Sequence, residues 1–331
     1  MATATLDVVG IGNAIVDVLV QADDAFLSRH GLAKGTMTLI DAARADALYA
    51  VMGPGVEASG GSAGNTMAGI ASLGGSGAYI GKVRNDQLGE VFRHDITAIG
   101  VRFATAPAHG GLPTARCLIL VTPDAQRTMN TFLGACVDLG PEDIDHEIIA
   151  AAQVTYLEGY LFDPPRAQEA FRKAALLAHQ GGRRVALSLS DPFCVGRHRA
   201  AFRALLAEHV DILFANEAEI CSLYETDDFD AASREVRAHC DIAALTRSEK
   251  GSVVVAGPHT HVIEAARVAQ VVDTTGAGDL YASGFLFGLT HGRDLATCGR
   301  LGSLCAAEAI GHFGARPERS LATLAAEAGL L

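Results

Sequence analysis

The sequence predicts an α/β fold: a doubly wound, mostly parallel sheet with a small β-sheet lid. Short apolar runs of strand length alternate with helix-like stretches along most of the 331 residues, the rhythm of βαβ units. Two further groups of strand-like segments have no crossover helix between them and read as a second, smaller sheet. Apolar residues make up 49% of the chain, enough for one large α/β domain or two modest ones.

The main-sheet elements follow in order. Leu6–Gly12 reads as a buried strand, Ser62–Leu73 as a small-residue helix and Ala78–Val83 as a strand. Ala151–Glu158, Arg184–Ser190, Val210–Phe214 and Ile242–Thr246 are strand-like. Arg166–His179, Glu217–Tyr224, Thr275–Leu289 and Leu295–Ile310 are helix-like. The lid strands are Ile15–Val20, Thr36–Ile40 and a hairpin of Thr114–Thr122 with Gln126–Phe132 around Pro123-Asp124. These readings assign residues 1–13, 42–100 and 136–331 to a large α/β domain, and residues 14–41 and 101–135 to the lid.

A net charge of −12 argues against nucleic acid or an anionic membrane as partner. No segment is long and apolar enough to span a bilayer, and no signal peptide is evident. The seven scattered cysteines lack CxxC or zinc spacing and read as reduced thiols of a cytoplasmic protein.

The richest segment is Asp273-Thr274-Thr275-Gly276-Ala277-Gly278-Asp279. An apolar run (Val268, Val271, Val272) precedes it and reads as a strand that stops there. A helix-like stretch follows. Small residues let backbone approach a ligand, and the free N–H groups of a helix start favour an anion. Asp279 beside such an anion hole is placed to accept a proton from an attacking hydroxyl, as phosphoryl transfer requires. The helix dipole predicts a lowered pKa for it.

Three more clusters accompany this motif. Asn216-Glu217-Ala218-Glu219 follows a strand. Asn216 can simply cap the next helix, or Asn216 and Glu219 can face a Mg²⁺–phosphate complex through water at the strand's carboxyl end. Gly60-Gly61-Ser62-Ala63-Gly64-Asn65 precedes a helix and permits close ligand approach. Asn13 and Asp17 lie at the exit of the first strand, where a carboxylate can accept from two hydroxyls of a sugar ring. Arg127 can reach a phosphate from the lid. Thr246, Ser248 and Gly251 form a polar turn suited to a nucleotide. Gly10-Ile11-Gly12 hints at a dinucleotide turn, but Ile15 stands where that pattern needs glycine.

In order and spacing, Gly10–Asn13–Asp17, the Gly60–Asn65 loop, Asn216–Glu219 and Asp273–Asp279 resemble the ribokinase-like kinases of the phosphofructokinase B type, over nearly the whole chain. The resemblance implies a kinase with ATP as donor, Mg²⁺ and, as in many members, a monovalent cation such as K⁺. Asp279 would be the base, and Gly276, Ala277 and Gly278 the anion hole, with Arg127 on the transferring phosphate. Asn216 and Glu219 would join the metal–phosphate network. Thr246, Ser248 and Gly251 match the nucleotide turn, with Ser248 in place of the more usual glycine. Asp273 and the Gly314 region match the monovalent-cation site. Within the family the chain is most similar to adenosine kinases, both at Leu187–Phe193 and at Ser62, where ribokinases carry lysine. By that similarity Asn13, Asp17, Gly61, Ser62 and Asn65 hold the acceptor, and Met37 and Phe132 are candidates for the base-binding wall. The implied reaction is transfer to the 5′-hydroxyl of a nucleoside, adenosine first, by a monomer or homodimer. A sugar kinase of the same fold and a non-catalytic nucleoside-binding protein are the alternatives.

Overall fold

The computed structural model describes residues 4–124 and 126–331. In chain order its strands are β1 (Leu6–Ile11), β2 (Ile15–Gln21), β3 (Met37–Leu39), β4 (Val56–Gly60), β5 (Gly77–Ile80), β6 (Arg102–Phe103), β7 (Ala115–Val121), β8 (Arg127–Phe132), β9 (Ala152–Glu158), β10 (Arg184–Ser188), β11 (Ile212–Asn216), β12 (Ile242–Thr246), β13 (Ser252–Ala256) and β14 (His259–Ile263). The helices are α1 (Asp24–Arg29), α2 (Ala42–Tyr49), α3 (Ser62–Ser72), α4 (Gln87–Ala98), α5 (His146–Ala151), α6 (Pro165–Gln180), α7 (Pro192–His209), α8 (Glu217–Tyr224), α9 (Phe229–Glu235), α10 (Ala277–Thr290), α11 (Leu295–Ala309) and α12 (Leu321–Glu327).

Nine strands form the main sheet in the order β14-β13-β12-β11-β10-β9-β1-β5-β6. It is parallel from β6 to β12 and antiparallel only at the β12–β13–β14 edge. Alternate residues feed two separate cores, as the two-residue period of a strand requires. Val9 and Ile11 of β1 pack with α6 residues such as Phe171 on one face, while Val8 packs with Met67 of α3 and Phe285 of α10 on the other. This is the expected fold class.

The lid is larger than the sequence reading made it. Its sheet has five strands, ordered β3-β8-β7-β2-β4. The predicted hairpin pairs as β7 with β8. β4, inside the stretch assigned to the large domain, pairs antiparallel with β2 in the small sheet. β6, inside the stretch assigned to the lid, extends the main sheet beside β5. Helices α1 and α2 cover one lid face, where Leu27 and Leu48 pack against Val18, Val20, Leu118 and Leu120. Such partnerships are long-range, so local pattern does not reveal them.

The strand expected before Asp273 is absent. Val272 and Asp273 donate their N–H groups to the Ile310 carbonyl at the end of α11 (2.8 and 3.4 Å). Val271 is 57% exposed. These residues find their hydrogen bonds at a helix end, so no ladder forms.

Candidate active site

The carboxyl ends of the parallel strands bring three of the predicted residues to one edge. Asn13 follows β1, Asn216 ends β11 and Thr246 ends β12, with Asn216 opposite Thr246 in register. Helices α3 and α10 both start at this edge. They pack closely because Gly69 has no side chain: a Cβ there would lie 2.2 Å from Ser283 Oγ and 2.8 Å from Leu280 Cδ1. The glycine loop and the Asp279 motif, far apart in sequence, thus become neighbours.

Gly276 opens α10 at φ +78°, and a Cβ there would strike Ala315 at 2.6 Å. No side chain caps the helix. Ala277 turns its N–H back to the Thr274 carbonyl at 3.3 Å, a long bond. Gly278 is open on its Cβ side. The helix start therefore keeps donor capacity for an anion.

Asp279 lies in the first turn of α10. Its Oδ1 accepts from Ser62 Oγ at 2.6 Å and its Oδ2 from Asn65 Nδ2 at 3.0 Å. Burial raises its pKa, against the lowering by these two bonds. The sequence reading expected a lowered value from the helix dipole, and here removal from water outweighs it. A carboxylate of raised basicity is the better proton acceptor. Asn65 is buried and its Oδ1 has no partner among the described residues, an acceptor waiting for a donor.

Gly61, at φ +85°, presses against the Asn13 carbonyl, where a Cβ would come within 2.2 Å. Asp17 on β2 faces the neighbouring Gly60, and the Cβ position there is 2.3 Å from its Oδ2. Burial pushes the Asp17 carboxyl up to about 6, while Arg316 and Arg127 pull it down and Asp279 adds to the rise. Asn13 is buried. It donates its Nδ2–H to Glu158 Oε1 at 2.7 Å and its backbone N–H to the same oxygen at 3.3 Å.

Sequence reasoning missed Glu158. It ends β9, is 1% exposed, and accepts the Ala63 N–H at 2.8 Å on its other oxygen. It thereby ties the end of β1 to the start of α3. Burial pushes it up to about 7. The available signal was its position: an acid closing an apolar strand whose carboxyl end belongs at the ligand edge.

Arg127 on β8 reaches the main domain by pairing with Asp273, three residues before Gly276, both side chains being buried. Asp273 also accepts from Thr275 N–H on Oδ1 (3.0 Å) and from Gly314 N–H on Oδ2 (3.1 Å). With a guanidinium already on that carboxylate, this arrangement does not fit a monovalent cation at Asp273.

Asn216 caps α8 and also sits in a tight pair with Glu219. Glu219 N–H donates to Asn216 Oδ1 (2.8 Å), Asn216 N–H to Glu219 Oε2 (2.8 Å) and Asn216 Nδ2 to Glu219 Oε1 (2.6 Å). Glu219 is 6% exposed. Burial pushes it up to about 7, and Asp191 and Asp279 add their repulsion. A buried acid with two acidic neighbours suits a divalent cation. Among the described residues no three His, Cys, Asp or Glu converge into a metal cage, so the site suits Mg²⁺ held largely by water and phosphate. In the turn after β12, Ser248 takes a left-handed backbone (φ +53°), which accounts for glycine as the more usual residue there. Gly251, at φ +80°, leaves no room for a Cβ, which would lie 2.0 Å from the Ile263 carbonyl oxygen.

Residues 40–321 match the pfkB family carbohydrate kinases. The chain belongs to that family. It is a phosphotransferase with an alcohol group as acceptor, and membership implies use of ATP and Mg²⁺. Adenosine kinase of Saccharomyces cerevisiae is 27% identical over 332 residues, covering 94% of this chain and 96% of the yeast protein. A crystal structure described as adenosine kinase from Sinorhizobium meliloti is 57% identical, with a TM-score of 0.91, covering 98% of this chain and all of that one. A crystal structure described as a probable sugar kinase from Rhizobium etli CFN 42 is 53% identical, with a TM-score of 0.93, covering 99% of this chain and all of that one. The fold is ribokinase-like. No helix among the described residues is long and apolar enough to cross a membrane.

Proposed function

We propose that this kinase phosphorylates the 5′-hydroxyl of a nucleoside, adenosine first. The observation that carries the reading is an apolar wall on the lid. Strand register puts Asp17 with Cys117 and Thr131, then Leu19 with Ile119 and Met129, then Gln21 with Val121 and Arg127. All lie on the face opposite the α1–α2 core, and Met37 pairs beside Met129. Arg127 meets Asp273 of the main domain from this face, so the face looks into the cleft. An apolar slot of Ile119, Met129 and Met37 beside Asp17 suits a purine joined to a ribose; a free sugar needs no such slot. Phe132, a candidate from sequence, lies opposite Arg116 on the other face.

Asp17, Asn65 and the Gly61–Ser62 loop grip the ribose hydroxyls, with Asn13 steadied by Glu158. Mg²⁺-bound ATP supplies the γ-phosphoryl group. Asn216 and Glu219 would hold the Mg²⁺–phosphate complex through water, and Thr246, Ser248 and Gly251 would take the nucleotide. Asp279 exchanges Ser62 and Asn65 for the acceptor hydroxyl and takes its proton. The start of α10 and Arg127 receive the charge of the transferring group, Arg127 leaving Asp273 as it does so. Catalysis is positioning plus charge stabilisation. A K⁺ role at Asp273 would require that same departure of Arg127. The seven free cysteines favour the cytoplasm.

A coupled ATP assay with Mg²⁺ against adenosine, inosine, guanosine, cytidine, ribose and fructose tests the reading. Turnover highest with adenosine is expected. Turnover with a free sugar alone overturns the nucleoside assignment in favour of the second reading, a sugar kinase, which the description of the Rhizobium etli structure supports.

A further inference from the structure

Arg316, two residues beyond Gly314, has no role in the mechanism so far. Its Nε and Nη2 are buried and have no hydrogen-bond partner among the described residues. A guanidinium with two buried, unmet nitrogens is costly, so its position needs a cause. Its Nη2 lies 3.6 Å from the point where a Cβ on Gly64 would stand. Asp17 presses on Gly60 at the other end of the same loop. The two charges thus flank the Gly60–Gly64 loop that receives the acceptor.

Asp17 accepts no hydrogen bond among the described residues. The groups that act on it electrostatically are Arg316 from the segment after α11, Arg127 from β8 and Asp279 from α10, with Cys117 beside it on β7. Arg127 is committed to Asp273. Asp95 of α4 also attracts Arg316, but its Oδ2 already accepts the Ser59 N–H at 2.9 Å. Arg316 is therefore the uncommitted countercharge of Asp17.

We propose that Arg316 is an acceptor-positioning residue, which keeps Asp17 ionised beside the glycine loop so that its carboxylate can accept hydrogen bonds from the acceptor's hydroxyls. This rests on the proposed ribose grip. Without Arg316 the buried carboxyl would hold its proton at higher pH and lose an acceptor site.

The test is calorimetric binding of adenosine to the full chain without ATP, from pH 5 to 8, for wild type, Arg316→Met and Arg316→Lys. Wild-type affinity should fall as pH drops through about 6. Arg316→Met should have its acid midpoint raised by about one unit, so that it binds about twofold more weakly at pH 7 and about ninefold more weakly at pH 5. Arg316→Lys should restore most of both. In turnover, Arg316→Met should raise the acceptor KM and leave kcat within about twofold. A wild-type profile flat from pH 5 to 8 overturns the proposal without recourse to any variant, as does Arg316→Met with unchanged affinity and midpoint. A wild type that binds no adenosine rejects the nucleoside reading instead, and the same titration with ribose then decides the role of Arg316.

Discussion

Glu158 offers a perturbation whose size follows from geometry. Its carboxylate accepts three N–H bonds, two from Asn13 and one from Ala63, in a site 1% exposed. Glu158→Ala leaves three buried donors unmet and opens a cavity. Each orphaned donor costs about 1–3 kcal/mol, while removal of a buried carboxyl offsets part of this, so a net loss of about 3–5 kcal/mol is expected. Glu158→Gln keeps the shape but turns one donor group toward a donor, for a loss of about 1–3 kcal/mol. The charge adds a pH signature. Burial raises the folded pKa from 4.5 to about 7, so the proton-bound form is favoured by folding. That stabilisation is complete below about 4.5 and is lost as pH rises through about 7, a span worth about 3 kcal/mol. Urea unfolding from pH 4.5 to 8 should show wild-type stability falling with pH over this window, and a shallower fall for Glu158→Gln. Because Asn13 and Ala63 border the acceptor loop, both variants should raise the acceptor KM more than they lower kcat. Equal stability of Glu158→Ala and wild type, or an unchanged pH slope in Glu158→Gln, would refute the reasoning.

Other outcomes follow from the same geometry. Ser248→Gly relieves a left-handed backbone that costs a side chain about 1–2 kcal/mol; after the extra freedom of unfolded glycine, chemical denaturation should show a gain of about 0.5–1 kcal/mol. Gly61→Ala sets a Cβ 2.2 Å from the Asn13 carbonyl oxygen at φ +85°; it should cost about 2–4 kcal/mol and abolish calorimetric acceptor binding. Arg127→Ala leaves Asp273 buried without its countercharge and should destabilise by about 3–5 kcal/mol. The double variant Arg127→Ala/Asp273→Asn should recover part of that loss in denaturation while turnover stays low in both.

Much of the candidate site's local structure could be read in the sequence because local motifs carried it. The Gly-Ala-Gly turn before Asp279, the Asn216–Glu219 cap and the glycine loop each combine backbone freedom with a specific polar group over a few residues. The hairpin around Pro123-Asp124 was legible for the same reason. What was hidden depends on contacts across the chain. Val268, Val271 and Val272 look like a strand, yet no neighbour offers them a ladder. β4 joins the small sheet because β2 presents its edge, and α1 and α2 complete the lid by covering Val18 and Leu118. Glu158 and Arg316 are isolated charged residues without a motif, and only their burial singles them out. The Asp279 pKa direction failed because a dipole is local, whereas the desolvation that outweighs it comes from packing.

The most direct test of the central claim is the turnover of Asp279→Asn with adenosine and ATP, measured beside adenosine affinity and thermal stability. Asn65 can turn its unpartnered Oδ1 toward the new amide, and a buried charge is removed, so melting temperature should not fall and affinity should stay within about threefold. Loss of the base should lower kcat by about 10²–10⁴-fold. Turnover near the wild-type rate would contradict the assignment of Asp279 as the group that takes the acceptor's proton.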